Sequence, residues 1–146
     1  MKIFKIILLS IVFMGCSNST SPLSESSTNE SATLNVTIKS ASTSNHFKNE
    51  LLKVRLYSYD PMIADRSATL VEEITKNLNG QLKPFIYKTQ IGNNAYIDQK
   101  MNYYLTVYVV DQQGKRTYYG YKNGTDGFSK VLENGNRDVV MILKPI

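Results

Sequence analysis

The stretch Tyr103-Tyr104-Leu105-Thr106-Val107-Tyr108-Val109 decides the fold class. Tyr103, Leu105, Val107 and Val109 alternate with Tyr104, Thr106 and Tyr108. A period of two is what a strand needs to send one set of side chains into a core and the other outward. The same rhythm recurs on both sides. Leu52, Val54 and Leu56 alternate with Lys53, Arg55 and Tyr57, and Leu34, Val36 and Ile38 alternate with Asn35, Thr37 and Lys39. Val139, Met141 and Leu143 repeat it near the end of the chain, and Phe85 to Ile91 and Thr117 to Tyr121 are two further β-rich runs. Asp60-Pro61, Asn79-Gly80, Gly92-Asn93-Asn94, Gln113-Gly114, Asn123-Gly124 and Asn134-Gly135 break the chain between these runs, as turn residues do. Asp111 to Lys115 reads as a hairpin loop.

Thr69 to Leu78 fits two periods. Leu70, Ile74 and Leu78 suit one side of a helix, yet they also share one face of a strand, with Glu72 and Lys76 between them. The surrounding β rhythm favours the strand. About seven short strands at this spacing predict an all-β fold, an antiparallel β-sandwich forming a single domain over residues 32–146.

The first residues follow a different logic. Lys2 and Lys5 precede an apolar run from Ile6 to Met14 broken only by Ser10. That run is too short to span a bilayer, which takes about 20 apolar residues, and has the size of a secretory h-region. It ends in Phe13-Met14-Gly15-Cys16, which looks like a lipobox: small Gly15 beside the scissile bond, and Cys16 as acceptor of a diacylglycerol and an acyl chain. Residues 1–15 are thus expected to be a lipoprotein signal peptide, cleaved between Gly15 and Cys16. Cys16 is the single cysteine of the chain, so the folded part has no disulfide and no thiol-based metal or nucleophile site. Ser17, rather than Asp, follows it, which by the enterobacterial sorting rule points to the outer membrane with a periplasmic orientation. More than one acyl chain makes such anchoring stable.

Residues 16–31 are the expected tether. Ser17 to Ser31 is mostly Ser, Thr and Asn, with Leu23 its one large apolar residue. Such a segment cannot bury enough surface to offset its ordering entropy, and as a flexible chain it reaches roughly 20–25 Å.

The net charge of +5 is modest, and the basic residues are scattered, with only Lys115 and Arg116 adjacent. No nucleic-acid groove follows from that pattern; a solvated basic face does. Nor is there a catalytic constellation. His46 is the sole histidine, in a polar run with the composition of a surface loop, and no nucleophile-elbow motif accompanies it. Glu72 and Glu73 are adjacent, so in a strand they face opposite ways and cannot work as a carboxylate pair. Gly120, Gly124 and Gly127 do not match a phosphate-binding loop, and Asp126 lacks the alternating ligands of a calcium loop. The expectation is a protein without catalysis, metal or cofactor.

Tyrosine is the feature with binding potential: ten Tyr and no Trp. Tyr57 and Tyr59 share one face, as do Tyr104 and Tyr108, and both pairs lie opposite the aliphatic faces of their strands. Two readings stand. Cross-strand tyrosines stabilise a sheet by packing against each other, and an outward aromatic face also suits an amphipathic partner segment.

One resemblance bears on the partner. Val54-Arg55-Leu56, Ala64-Asp65-Arg66-Ser67-Ala68, Leu82-Lys83-Pro84-Phe85, Tyr96-Ile97-Asp98, Tyr103 to Val107, Val131-Leu132 and Val139 to Pro145 occur in that order. This succession resembles the YbaY/YscW family of small outer-membrane lipoproteins over essentially all of residues 32–146. The resemblance implies a β-sandwich and, in the YscW branch, a pilotin: a lipoprotein that binds the C-terminal tail of a secretin subunit. Pilotins escort the secretin to the outer membrane and promote its assembly, here in type III secretion. The YbaY branch implies instead an envelope lipoprotein of undefined role that binds a lipid or other small ligand. The compact mature length tilts the reading towards the pilotin.

Overall fold

The computed structural model of the chain describes residues 30–40, 47–82, 84–122, 128–132 and 135–146. The expected signal peptide, with Gly15 and Cys16, and the expected tether up to Asn29 lie outside the described residues, as do His46 and residues 123–127. Glu30 and Ser31, placed in the tether by their composition, belong to the fold instead, because Glu30 O accepts from Ile97 N at 2.8 Å and Ser31 bridges to Tyr96. Eight strands follow one another: β1 (Leu34–Ser40), β2 (Leu51–Tyr59), β3 (Thr69–Asn77), β4 (Ile86–Ile91), β5 (Asn102–Val110), β6 (Arg116–Tyr121), β7 (Phe128–Val131) and β8 (Asp138–Pro145).

Alternation is realised where the sequence shows it. In β2 buried and half-buried residues alternate from Leu51 to Tyr59, and Leu52, Val54 and Leu56 are wholly buried. Leu34, Val36 and Ile38 of β1 and Val139, Met141 and Leu143 of β8 meet them in one apolar cluster. Phe47, from the β1–β2 connection, plugs that cluster with its ring edge-on to Phe85 at 5.2 Å and to Tyr118 at 5.5 Å.

The all-β expectation holds, but the antiparallel sandwich of seven strands does not. The strands form one mixed sheet, ordered β3-β2-β5-β6-β8-β1-β4, with β7 on the same side of β5 as β6. β6 pairs the second half of β5 and β7 its first half. The seven runs in the sequence miss β7 because four residues are too few for alternation to register. They also leave pairing open, since alternation marks a strand's faces and not its neighbours. Here β8 runs parallel to β1, with Val36 opposite Val139 and Ile38 opposite Met141, while the other ladders are antiparallel.

The sheet curls until its two edges approach each other, giving a nearly barrel-shaped body. The edges are β3 and β4, consecutive in sequence, and side chains bridge the seam between them. Glu72 Oε2 accepts a hydrogen bond from Gly92 N at 2.7 Å, and Lys76 Nζ lies 6.0 Å from the Tyr87 ring centroid. Gly92 sits at φ +86°, and a Cβ there would stand 2.4 Å from the Ala32 carbonyl oxygen. Gly114 also has a positive φ, but open space surrounds its missing Cβ. Gly92→Ala is therefore expected to cost about 3 kcal/mol of stability, strain and collision together, and Gly114→Ala about 1 kcal/mol. Urea midpoints of the two variants measure the difference.

Candidate partner-binding face

The outward positions of β3, β2, β5 and β7 line up in cross-strand register. One row runs Leu70, Tyr57, Tyr104, Lys130 across four strands. Paired residues project to the same side of a sheet, so these four side chains share the outer surface. The Tyr57 and Tyr104 rings stack at 5.1 Å with 13° between their planes, and Tyr59 tilts against Tyr104 at 6.0 Å and 57°. Tyr59 Oη accepts a hydrogen bond from Asn102 Nδ2 at 3.3 Å. Burial, with some repulsion from Tyr57 and Tyr59, raises the Tyr104 pKa above its ordinary value.

Leu70 reaches this row through an irregularity. The β2–β3 register shifts between Leu56 and Tyr57, so that Glu72 faces Leu56 while Leu70, not Val71, faces Tyr57. Val71 is the extra residue of a β-bulge, and a one-residue slip exchanges the two faces of a strand. Leu70 thus departs from the face it was expected to share with Ile74. Ile74 packs against the core, Leu70 is 46% exposed, and Leu78 is buried just beyond the strand.

Tyr108 is the second departure. It points outward as expected, yet it is only 5% exposed. The Arg116 guanidinium lies 4.7 Å from its ring centroid and that of Arg55 lies 5.3 Å away. Two long basic side chains cover the ring with their apolar stems and attract its electron-rich face. What Tyr108 offers a partner is a basic cover, not an aromatic surface, and burial raises its pKa. Below it, Glu73 accepts a hydrogen bond from Lys53 Nζ at 2.8 Å, another from Arg55 Nε, and one from Thr75 Oγ1 at 3.1 Å. Arg55 also donates to Tyr57 Oη at 3.3 Å, which ties the basic cover to the tyrosine stack. Glu72 and Glu73 do face apart, one to the seam and one to this network.

Beside the stack opens a cavity of about 320 Å³ lined by Tyr59, Arg66, Ala68, Tyr104 and Lys130. Tyr57, Tyr59 and Tyr104 are thus brought together and Tyr108 is set apart. Arg66, Ala68, Lys130 and Leu70 join the face without having been picked out for it. Arg66 and Ala68 lie in the β2–β3 loop, Lys130 on the strand too short to read, and Leu70 beyond a bulge that leaves no mark in composition. Among the described residues no three His, Cys, Asp or Glu side chains come together as metal ligands would. The face presents aromatic area and tyrosine hydroxyls, with Arg66 and Lys130 beside them.

No protein-family model matches the chain, and no curated protein matches it. Among solved structures, it is similar to an alternative pilotin from the type II secretion system of Vibrio cholerae. The TM-score is 0.54 at 19% identity, over 78% of this chain and 97% of that one. The chain has a pilotin-like fold.

The Glu73 network gives the face a pH dependence. The Lys53 hydrogen bond, aided by Arg55, pulls the Glu73 carboxyl down to about 2 against the opposing effect of its burial. A depressed carboxylate stabilises the fold above its unfolded pKa of about 4.3 and loses that contribution as the pH falls towards 2. The pair is partly exposed, so its worth is about 1 kcal/mol. Glu73→Gln should lower stability by that amount at pH 7 and show a smaller further loss on acidification than the parent, in urea titrations at both pH values.

Proposed function

We propose that the chain is an outer-membrane lipoprotein that acts as a pilotin, binding a secretin subunit and aiding its targeting and assembly. The observation that carries this reading is the pilotin-like fold, since nearly the whole length of the Vibrio cholerae pilotin is covered. The resemblance of the sequence to the YbaY/YscW family is compatible with it, and type III secretion is what the YscW branch of that family implies. In this reading Cys16 carries the lipid and the domain faces the periplasm, so the protein holds its client where the secretin ring must form. The role is binding and delivery rather than catalysis.

The client site is the row Leu70, Tyr57, Tyr104 and Lys130 with the cavity next to it. A C-terminal secretin segment would lay apolar side chains on the Tyr57–Tyr104 stack and acidic groups beside Arg66 and Lys130, pairing opposite charges at the rim. The barrel interior favours this over the small-ligand role of a YbaY-like protein. Phe47, Leu34, Ile38, Leu52 and Leu105 fill it with wholly buried side chains.

A Tyr57→Ser, Tyr104→Ser double variant is expected to weaken binding of the secretin C-terminal segment by about a hundredfold, or about 2.7 kcal/mol. Its folding should be retained, because both rings are only half-buried. Tyr108→Ser should instead destabilise the fold. Titration of the segment against each variant, with urea unfolding alongside, separates the two effects. Unchanged affinity in the double variant would remove this face from the reading. Secretin multimers undiminished in a strain lacking the gene would remove the pilotin role. Cys16→Ser is expected to leave client binding intact and misplace the client, as cell fractionation would show.

A further inference from the structure

The strands define two poles of the barrel. Tyr59 pairs with Asn102, Leu34 with Ile91, Asn35 with Asp138 and Tyr103 with Val131. The β2–β3 loop, the β4–β5 loop and the first described residues therefore gather at one pole. There the chain enters the fold, held by Ile97 N donating to Glu30 O at 2.8 Å, Ala32 N donating to Ala95 O at 2.8 Å, and a bridge between Ser31 and Tyr96. Large apolar side chains are exposed at this pole: Met62 at 88% and Ile63 at 46% in the β2–β3 loop, and Tyr96 at 67% in the β4–β5 loop. Met62 sits at the tip of a turn fixed by its own N–H, which donates to Asp60 Oδ1 at 2.9 Å. Tyr96 is held by the Ser31 bridge, and its carbonyl accepts from Tyr103 Oη at 3.4 Å. The apolar tips are carried on hydrogen-bonded supports.

We infer that this pole is a lipid-docking surface, with Met62, Ile63 and Tyr96 entering the interfacial layer of the membrane. The inference rests on the anchoring of Cys16 for its choice of surface. The opposite pole also exposes apolar side chains, Leu82, Ile86 and Ile146, and chain length decides between the two. Thirteen residues lie between Cys16 and Glu30, and as the flexible tether their composition predicts they would reach roughly 20 Å. The nine-residue strands are roughly 30 Å long at about 3.3 Å per residue. Turning the far pole to the bilayer would require that chain to run the whole side of the domain. The entry pole comes to the surface without stretching it. Tyrosine favours the headgroup level and Met and Ile the acyl boundary. Arg66 and Lys100 share the rim with Asp60, Asp65 and Asp98, so charge at the rim is mixed and docking does not depend on anionic lipid. In this pose the barrel axis stands on the membrane, Tyr57 and Tyr104 stay open to a client on the barrel wall, and the Arg66 end of the cavity beside them lies at the membrane rim.

The test uses the full chain, lipidated and reconstituted in phosphatidylcholine vesicles. Single cysteines replace Met62, Tyr96 and Leu82 in turn, and each is labelled with a polarity-sensitive maleimide fluorophore. A lipidated Cys16 has its sulfur in a thioether and takes no label. At positions 62 and 96 the emission should shift to the blue and fall by about half with a quencher on the lipid chains, and at position 82 it should not change. A response at 82 alone, or at none of the three, overturns the docking. Label taken up by the parent chain at Cys16 overturns the anchoring instead. The same probes in a Cys16→Ser background, offered to the vesicles from solution, then decide the docking: a response at 62 and 96 upholds it, and silence there overturns it.

Discussion

The parallel pairing of β1 with β8 is the constraint on which the rest of the structure depends. Beyond β8 lie β6, β5, β7, β2 and β3, and beyond β1 only β4. Without that ladder the chain would form a six-strand antiparallel sheet and a detached antiparallel pair, each with an apolar face towards water. Val36 opposite Val139 and Ile38 opposite Met141 bring the two parts together and bury both faces at once. The pairing joins strands from opposite ends of the chain, so its loop-closure entropy is large. Burial of both apolar faces around Phe47 offsets that cost.

Closure has consequences for the outer wall. A sheet that curls must bend somewhere, and β-bulges are where strands bend and twist. The bulge at Val71 falls in the edge strand next to the seam and turns Leu70 out beside Tyr57. The device that helps the sheet curve thereby lengthens the apolar row by one strand. The tyrosine stack, the Glu73 network and the covered Tyr108 then divide the wall into an open aromatic half and a basic half. Arg55 links them by donating to both Glu73 and Tyr57.

The edges of the sheet need protection, because unpaired strand edges invite pairing with other chains. Here β3 and β4 protect each other. Glu72 opposes Gly92 and Lys76 opposes Tyr87, contacts consistent with an antiparallel alignment in which side chains replace the ladder. Gly92 is needed at that point for its positive φ and for its closeness to Ala32. The seam and the entry point of the chain are therefore one piece of construction, which ties the pole where the chain enters to the closure of the barrel.

The sequence by itself determined where most strands run and the inward faces of four of them. Alternation of apolar and polar residues is local and needs no knowledge of partners, so the core residues of β1, β2, β5 and β8 were legible, as was the outward direction of Tyr57, Tyr59 and Tyr104. Tertiary structure decided what alternation cannot carry: that β8 returns beside β1, that one sheet closes where two were expected to stack, and that β7 exists. It also decided the candidate site, because Lys130, Arg66 and Leu70 reach the tyrosines only through pairing, loop path and a bulge. Tyr108 shows the same limit from the other side. Its direction was legible, but its exposure depended on Arg116 of a neighbouring strand lying across the ring. Direction is set by the backbone of one strand, whereas exposure is set by whatever the rest of the chain places above it.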